Sequence, residues 1–195
     1  RFRIGEPVTY TGAQYLREEL LQGNSRCWSK LYRRSLIGKL RFQRGLSIGE
    51  DMLFLTELLG YARKVSEIDY PGYGYYQNAK GAMNRPFTPS YMDQITCWEL
   101  ARDRILAIDS TLEAKVTSIL IMGIMLTVGK LAMLPAADRR KNAQYIQICR
   151  DKLKQELQVS GAYELLSGGY RLKAKLFAAA PGLYLYGYHF RKYKG

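Results

Sequence analysis

The chain has 195 residues, 47% of them hydrophobic and 24% charged, with 30 Lys and Arg against 17 Asp and Glu for a formal net charge of +13. That length buries a core without a disulfide or metal staple, and the composition argues against disorder. The positive surplus suits a polyanion, a lipid surface or a phosphorylated substrate without choosing among them. Cys27, Cys97 and Cys149 match no zinc spacing and leave an odd count for disulfides, so a reducing compartment is expected. A single histidine, His189, gives a His-based metal site or triad little to work with. No secretory signal opens the sequence, and Arg1 stands where an initiator Met would, so a processed or excised piece is expected.

Thr11 and Gln14 have capping-box spacing and predict a first helix with Leu16, Leu20 and Leu21 on its apolar side and Gly23 at its end. Arg26 to Arg33 alternates well enough for a strand, and Ser35 then caps a short helix at Leu36-Ile37. Phe42 to Ile48 reads as a loop. From Asp51, the spacing of Leu53, Phe54, Leu58 and Leu59 predicts a helix that stops at Gly60. Two short β-like runs, 64–69 and 72–77, meet at the turn Pro71-Gly72.

The character then changes. Thr88 and Pro89 open a helix with Met92, Ile95, Trp98, Ala101, Ile105 and Ile108 on one face. The apolar run from Val116 to Val128, fenced by Lys115 and Lys130, is too short for the ~20 residues of a spanning helix and reads as a buried one. Pro135 and Asp138 start another helix, striped by Ile146, Cys149, Leu153 and Leu157. A last segment, Tyr170 to Lys194, is interrupted at Pro181-Gly182. The expected fold class is therefore α+β but predominantly α, with a small mixed α/β portion over residues 1–87 and a helical bundle over 88–195.

The charge is clustered. Residues 26–44 carry seven bases and no acid, 139–154 six bases against one Asp, and 171–194 six bases and no acid, whereas 45–115 holds seven bases against ten acids. The 139–154 cluster reads as a solvated face. The terminal cluster interleaves aromatic residues with its bases, which suits an anionic membrane surface as well as it suits plain helix packing. Its expected membrane contacts are Lys173, Lys175, Tyr184, Tyr186, Arg191 and Lys192. No nucleic-acid motif accompanies it, and no nucleic-acid partner is expected.

Glu50-Asp51 is an acid pair at a helix start amid basic sequence. Such a pair is either a dipole-favoured N-terminal acid or a rigidly held general base. Trp28 either stacks on a sugar face or packs in a core. Lys30, Arg33, Arg34 and Arg41 either neutralise phosphate or coat a loop.

Order adds more than the single residues do. Trp28-Ser29-Lys30-Leu31-Tyr32-Arg33, then Leu40-Arg41-Phe42, then Gly49-Glu50-Asp51-Met52-Leu53-Phe54, then the Tyr-rich run from Tyr73 closely resemble the second half of bacterial family 2 glycosyltransferases. These are GT-A enzymes that build capsular, exopolysaccharide and cell-wall glycans. The resemblance spans residues 24–84, under a third of the chain. It implies an inverting hexosyl transfer from a nucleotide-sugar donor to a glycan or lipid-linked acceptor. Asp51 would be the catalytic base, Glu50 its neighbour, and Trp28, Lys30 and Tyr32 would line the donor–acceptor cleft. It also implies a divalent cation, Mg or Mn, in the intact enzyme; the expected location is cytoplasmic, with the basic, aromatic terminus in peripheral contact with the inner face of the cell membrane. The family's metal-binding Asp-x-Asp is missing from this chain, and little precedes Arg26 beyond one helix. A C-terminal portion without its nucleotide-binding half, holding no cofactor and inactive alone, is therefore expected. The alternative is a non-catalytic basic helical module that docks on an anionic membrane or a partner protein.

Overall fold

A computed structural model describes residues 5–76, 78, 81 and 85–193, with side chains through residue 191. Among these residues the protein is predominantly helical, with a small two-stranded antiparallel sheet. The order is β1 (Val8–Tyr10), α1 (Gly12–Glu18), α2 (Arg34–Ile37), α3 (Glu50–Leu59), β2 (Val65–Glu67) and α4 (Asp93–Ile108). Then come α5 (Glu113–Met133), α6 (Ala136–Lys141), α7 (Ala143–Glu156), α8 (Gly168–Ala179) and α9 (Pro181–Tyr193).

Local chemistry sets the helix starts. Thr11 caps α1: its hydroxyl accepts from the Gln14 N–H at 3.2 Å, and the Gln14 side chain accepts from the Thr11 N–H at 2.8 Å. That satisfies two of the helix's orphan donors. Pro89 sits in the first turn of a short 3-10 segment, Pro89–Met92, that runs into α4. Its missing N–H costs nothing at that position.

Four sequence expectations give way here. Residues 26–33 form no strand: Cys27 to Ser29 make a turn, with Ser29 at φ 61, and α2 begins at Arg34 with Arg33, not Ser35, at its cap position. The sheet is made by β2 and β1, a strand that the sequence reading overlooks. The register is Val8 to Glu67, Thr9 to Ser66 and Tyr10 to Val65. The described residues of the run 72–77 are not strand either. The helix expected from Pro135 is two helices, α6 and α7, broken at Asn142.

The core has two clusters. One joins α1 and α3 to the inner side of α4, with Leu16, Leu20, Leu53, Cys97, Ala101 and Ile105 at its centre. The other surrounds α5 with residues of α7, α8 and α9, among them Leu153, Phe177 and Tyr184. Helix α4 contributes to both, and Trp98 packs against both. The boundary expected after residue 87 lies just before the 3-10 segment leading into α4. Between α4 and α5, Gln94 Nε2 donates to Thr127 Oγ1 at 2.6 Å, whereas the buried Thr117 Oγ1 of α5 lacks a partner among the described residues. Ion pairs join Arg104 to Glu57, Arg102 to the buried Glu156, and Lys152 to Glu99. Partly exposed pairs such as Arg104–Glu57 and Lys152–Glu99 contribute up to ~1 kcal/mol each, whereas each fully buried Leu or Ile contributes about 1.5–3 kcal/mol. Apolar packing therefore decides the arrangement.

The 139–154 cluster is more than a solvated face. Arg139 donates to Ala132 O at 3.1 Å and Leu134 O at 2.7 Å, at the end of α5, and Arg150 Nε donates to Ala178 O at 3.0 Å, at the end of α8. His189 Nδ1–H also donates to Ala132 O, at 3.0 Å. Cationic and N–H donors belong at helix C-termini, where carbonyls lack partners and the dipole is negative.

The closest approach in the first cluster is at Gly12, whose N–H donates to Ala62 O at 3.1 Å. A Cβ there would stand 2.2 Å from Leu59 O and 2.6 Å from Ala62 O. Gly12→Ala is expected to destabilise the fold by about 2–3 kcal/mol in urea denaturation, because backbone rather than a flexible side chain must move. An unchanged midpoint would contradict this docking of α1 on α3.

Candidate functional site

The candidate site is the turn at 27–32 set against the start of α3. Gly49 is the cap residue of α3 and adopts φ 93. Two constraints require glycine: that left-handed backbone, and a Cβ that would lie 3.0 Å from Cys97 Cβ on α4. The preceding residues are held to the same helix, with the Ser47 N–H donating to Asp93 Oδ2 at 2.9 Å and the Cys97 thiol to Ile48 O at 3.5 Å. Glu50 and Asp51 therefore enter α3 at a fixed place and angle, in its first turn, where the dipole favours an anion.

The two acids are used differently. Asp51, half-buried, accepts the Cys27 N–H on Oδ2 at 3.2 Å. Glu50 lies on the α4 side: burial, then the Glu50 charge, pushes the Cys97 thiol up to about 12.

The turn that reaches Asp51 is itself braced. Tyr32 OH donates to Cys27 O at 2.9 Å, and the Cys27 thiol donates to Asp51 O at 3.6 Å. Burial, followed by the Asp51 charge, pushes the Cys27 thiol up to about 12, and burial likewise raises the Tyr32 phenol. The Tyr32 ring meets Phe54 edge-on at 6.3 Å, and Phe42 of the Arg41-Phe42 pair stacks on Phe54 at 4.6 Å. One residue beyond Cys27, Trp28 stands outside both core clusters and stacks with Tyr73 at 5.2 Å and Tyr75 at 4.9 Å, with Arg26 5.8 Å from its ring centre.

Of the expected site residues, Asp51 and Tyr32 converge on Cys27, and Trp28 joins an aromatic surface beside them. Lys30 is directed elsewhere. Its ammonium donates to Asn24 Oδ1 at 2.6 Å, Asn24 donates to Glu19 at 3.2 Å, and burial lowers the lysine's pKa. Cys27, Asn24 and Glu19 escaped the sequence reading, because a backbone N–H and a relay to the end of α1 leave no signature in residue type. Among the described residues no group of three or more His, Cys, Asp or Glu stands together.

The expected membrane residues also separate. Lys173, Lys175, Tyr186 and Arg191 are exposed, and the Lys192 side chain lies outside those described. Tyr184 is corrected: it is buried against Phe177 at 5.6 Å and Tyr188 at 5.8 Å, with its phenol pushed up to about 12 by burial. No family model, curated protein or solved structure matches the chain.

Gly49→Ala should cost about 2 kcal/mol, through left-handed backbone strain plus the contact with Cys97, and should speed hydrogen exchange in the first turn of α3. Wild-type stability would refute that role for Gly49. A raised thiol pKa means that the folded chain holds its proton more tightly than the unfolded one. The associated stability is complete below the unfolded value of 9.0 and is lost as pH rises toward about 12. Alkylation of Cys27 at pH 8 is accordingly expected to run roughly a thousandfold slower in the folded chain than in urea. Equal rates would overturn the assignment.

Proposed function

We propose that this chain is the acceptor-side and C-terminal helical part of an inverting family 2 glycosyltransferase, with Asp51 as the general base. The observation that carries the proposal is the setting of Asp51. It sits at the start of α3, with its Oδ2 held by the Cys27 N–H. Beside it lie Trp28, Tyr73 and Tyr75, three exposed rings of the kind that stack on sugar faces. The motif order from Trp28 to Tyr75 supports the same reading.

The chemistry asked of the site is one proton transfer coupled to one displacement. An acceptor hydroxyl gives its proton to Asp51 Oδ1 as its oxygen attacks the anomeric carbon from the face opposite the leaving group. The bond from that carbon to the nucleoside diphosphate breaks, and the diphosphate departs with the electron pair. The Cys27 N–H keeps the carboxylate aimed, and Tyr32, through Cys27 O, keeps that N–H in place. Trp28, with Tyr73 and Tyr75, would orient the acceptor sugar. Glu50, beside Asp51 in the first turn of α3, would act by favouring the start of the helix rather than by touching substrate. Lys30, tied to Asn24, would shape the turn unless substrate displaces that bond. The donor's nucleotide would be held by a portion supplied from outside these 195 residues, which contain no Asp-x-Asp.

In the assembled transferase, Asp51→Asn is expected to lower sugar transfer by roughly 100- to 10,000-fold while leaving donor affinity unchanged in calorimetry. An asparagine oxygen can still accept the Cys27 N–H, so the fold should survive. Retained turnover would overturn the base assignment.

A further inference from the structure

We infer that the α8–α9 hairpin is an amphipathic docking surface for anionic lipid, independent of the transferase reading. The two helices pack on each other and on α5 through Ala174, Phe177, Tyr184 and Leu185, all buried. Their opposite faces carry large apolar side chains held out to solvent. On α8 these are Leu172, 71% exposed, and Leu176, 37%. On α9 they are Leu183, 63%, Tyr186, 66%, and Phe190, 50%, with the last two rings stacked at 6.4 Å.

Helix geometry turns these residues into ridges. At about 100° per residue, Leu172 and Leu176 lie ~40° apart, and Leu183, Tyr186 and Phe190 fall within a sector of ~60°. Lys173 and Lys175 flank the leucine ridge, about 100° around the helix from one leucine or the other, and Arg191 follows Phe190. Lys173 lies over the Tyr170 ring at 5.3 Å and Lys175 over the Tyr163 ring at 4.7 Å. A ring has no net charge, so neither contact is an ion pair.

Charge complementarity selects the occupant. The last acid in the sequence is Glu164, so residues 165–195 offer cations and no competing carboxylate. Apolar ridges flanked by lysines match a bilayer with anionic headgroups, where leucines and rings enter the acyl boundary and the lysine stems reach back to phosphate. A nucleic acid would use the bases and leave three exposed leucines without a role.

The test is co-sedimentation of the 195-residue chain with phosphatidylcholine vesicles with and without phosphatidylglycerol, over a salt series. The wild-type chain is expected to bind the anionic vesicles, and to bind less as salt rises. Lys173→Gln with Lys175→Gln should reduce that binding by roughly 30-fold, about fivefold per base. Leu183→Ser with Phe190→Ser should reduce it at least about tenfold at every salt concentration. Circular dichroism checks that these exposed substitutions leave helicity intact; if the serine pair loses helicity, the lysine pair decides. No vesicle binding, equal binding to both vesicle types, or wild-type binding by the decisive variant would overturn the inference. So would retention of RNA or of an acidic protein in place of vesicles.

Discussion

Helix α4 has to be buried on two sides at once, and the positions of both the candidate site and the bundle follow from that. Ala101 and Ile105 face α1 and α3, Ile95 faces the α5 cluster, and Trp98 touches both. A helix so placed cannot slide toward one neighbour without opening a void against the other, and each deleted core Leu or Ile costs about 2–5 kcal/mol. Its N-terminal half also holds the loop before α3, through Asp93, Gln94 and Cys97. The orientation of Glu50 and Asp51 is thus fixed by a helix more than forty residues further along the chain.

Local signals were legible in the sequence. The Thr11–Gln14 capping box, Pro89 in a first turn, Gly49 before the acid pair and the break at Pro181 each act within a few residues, and each stands where its residue type demands. Signals that depend on a distant partner were not. The alternating run at 26–33 is drawn instead into the turn at Cys27 to Ser29, whose backbone is tied to Asp51 on the distant helix α3. Arg139 and Arg150 look like surface charge until the ends of α5 and α8 arrive beside them.

The candidate site divides the same way. The placement of Asp51 at the opening of a helix followed from Gly-Glu-Asp before a leucine-rich run. That the turn at Cys27 grips its carboxylate did not, because the donor is backbone and could belong to any residue. The lysine within the motif illustrates the hazard of carrying a role by type alone: its ammonium is bonded to Asn24, in a relay that ends at Glu19. Charge, too, is more local than the total of +13 suggests. Arg139 and Arg150 are matched to helix ends and Arg102 to Glu156, so the field felt by an approaching surface comes largely from what remains exposed.

Helix α5 carries a consequence for how the chain is made. The run expected to be too short to span belongs to a longer helix that by length and composition is apolar enough to cross a membrane, yet about two thirds of it is buried within the protein, in part by α9, the last helix among the described residues. During synthesis from the N-terminus, α5 emerges some fifty residues before Tyr184 and Leu185 exist to cover it. For that interval the ribosome presents a long, greasy segment with unmet neighbours, the kind of nascent surface that recruits chaperones or strays into lipid. Lys115 and Lys130, fifteen residues apart within the helix, interrupt its apolar length and discourage insertion over that interval. Biogenesis, as much as the finished fold, depends on the C-terminal hairpin arriving in time.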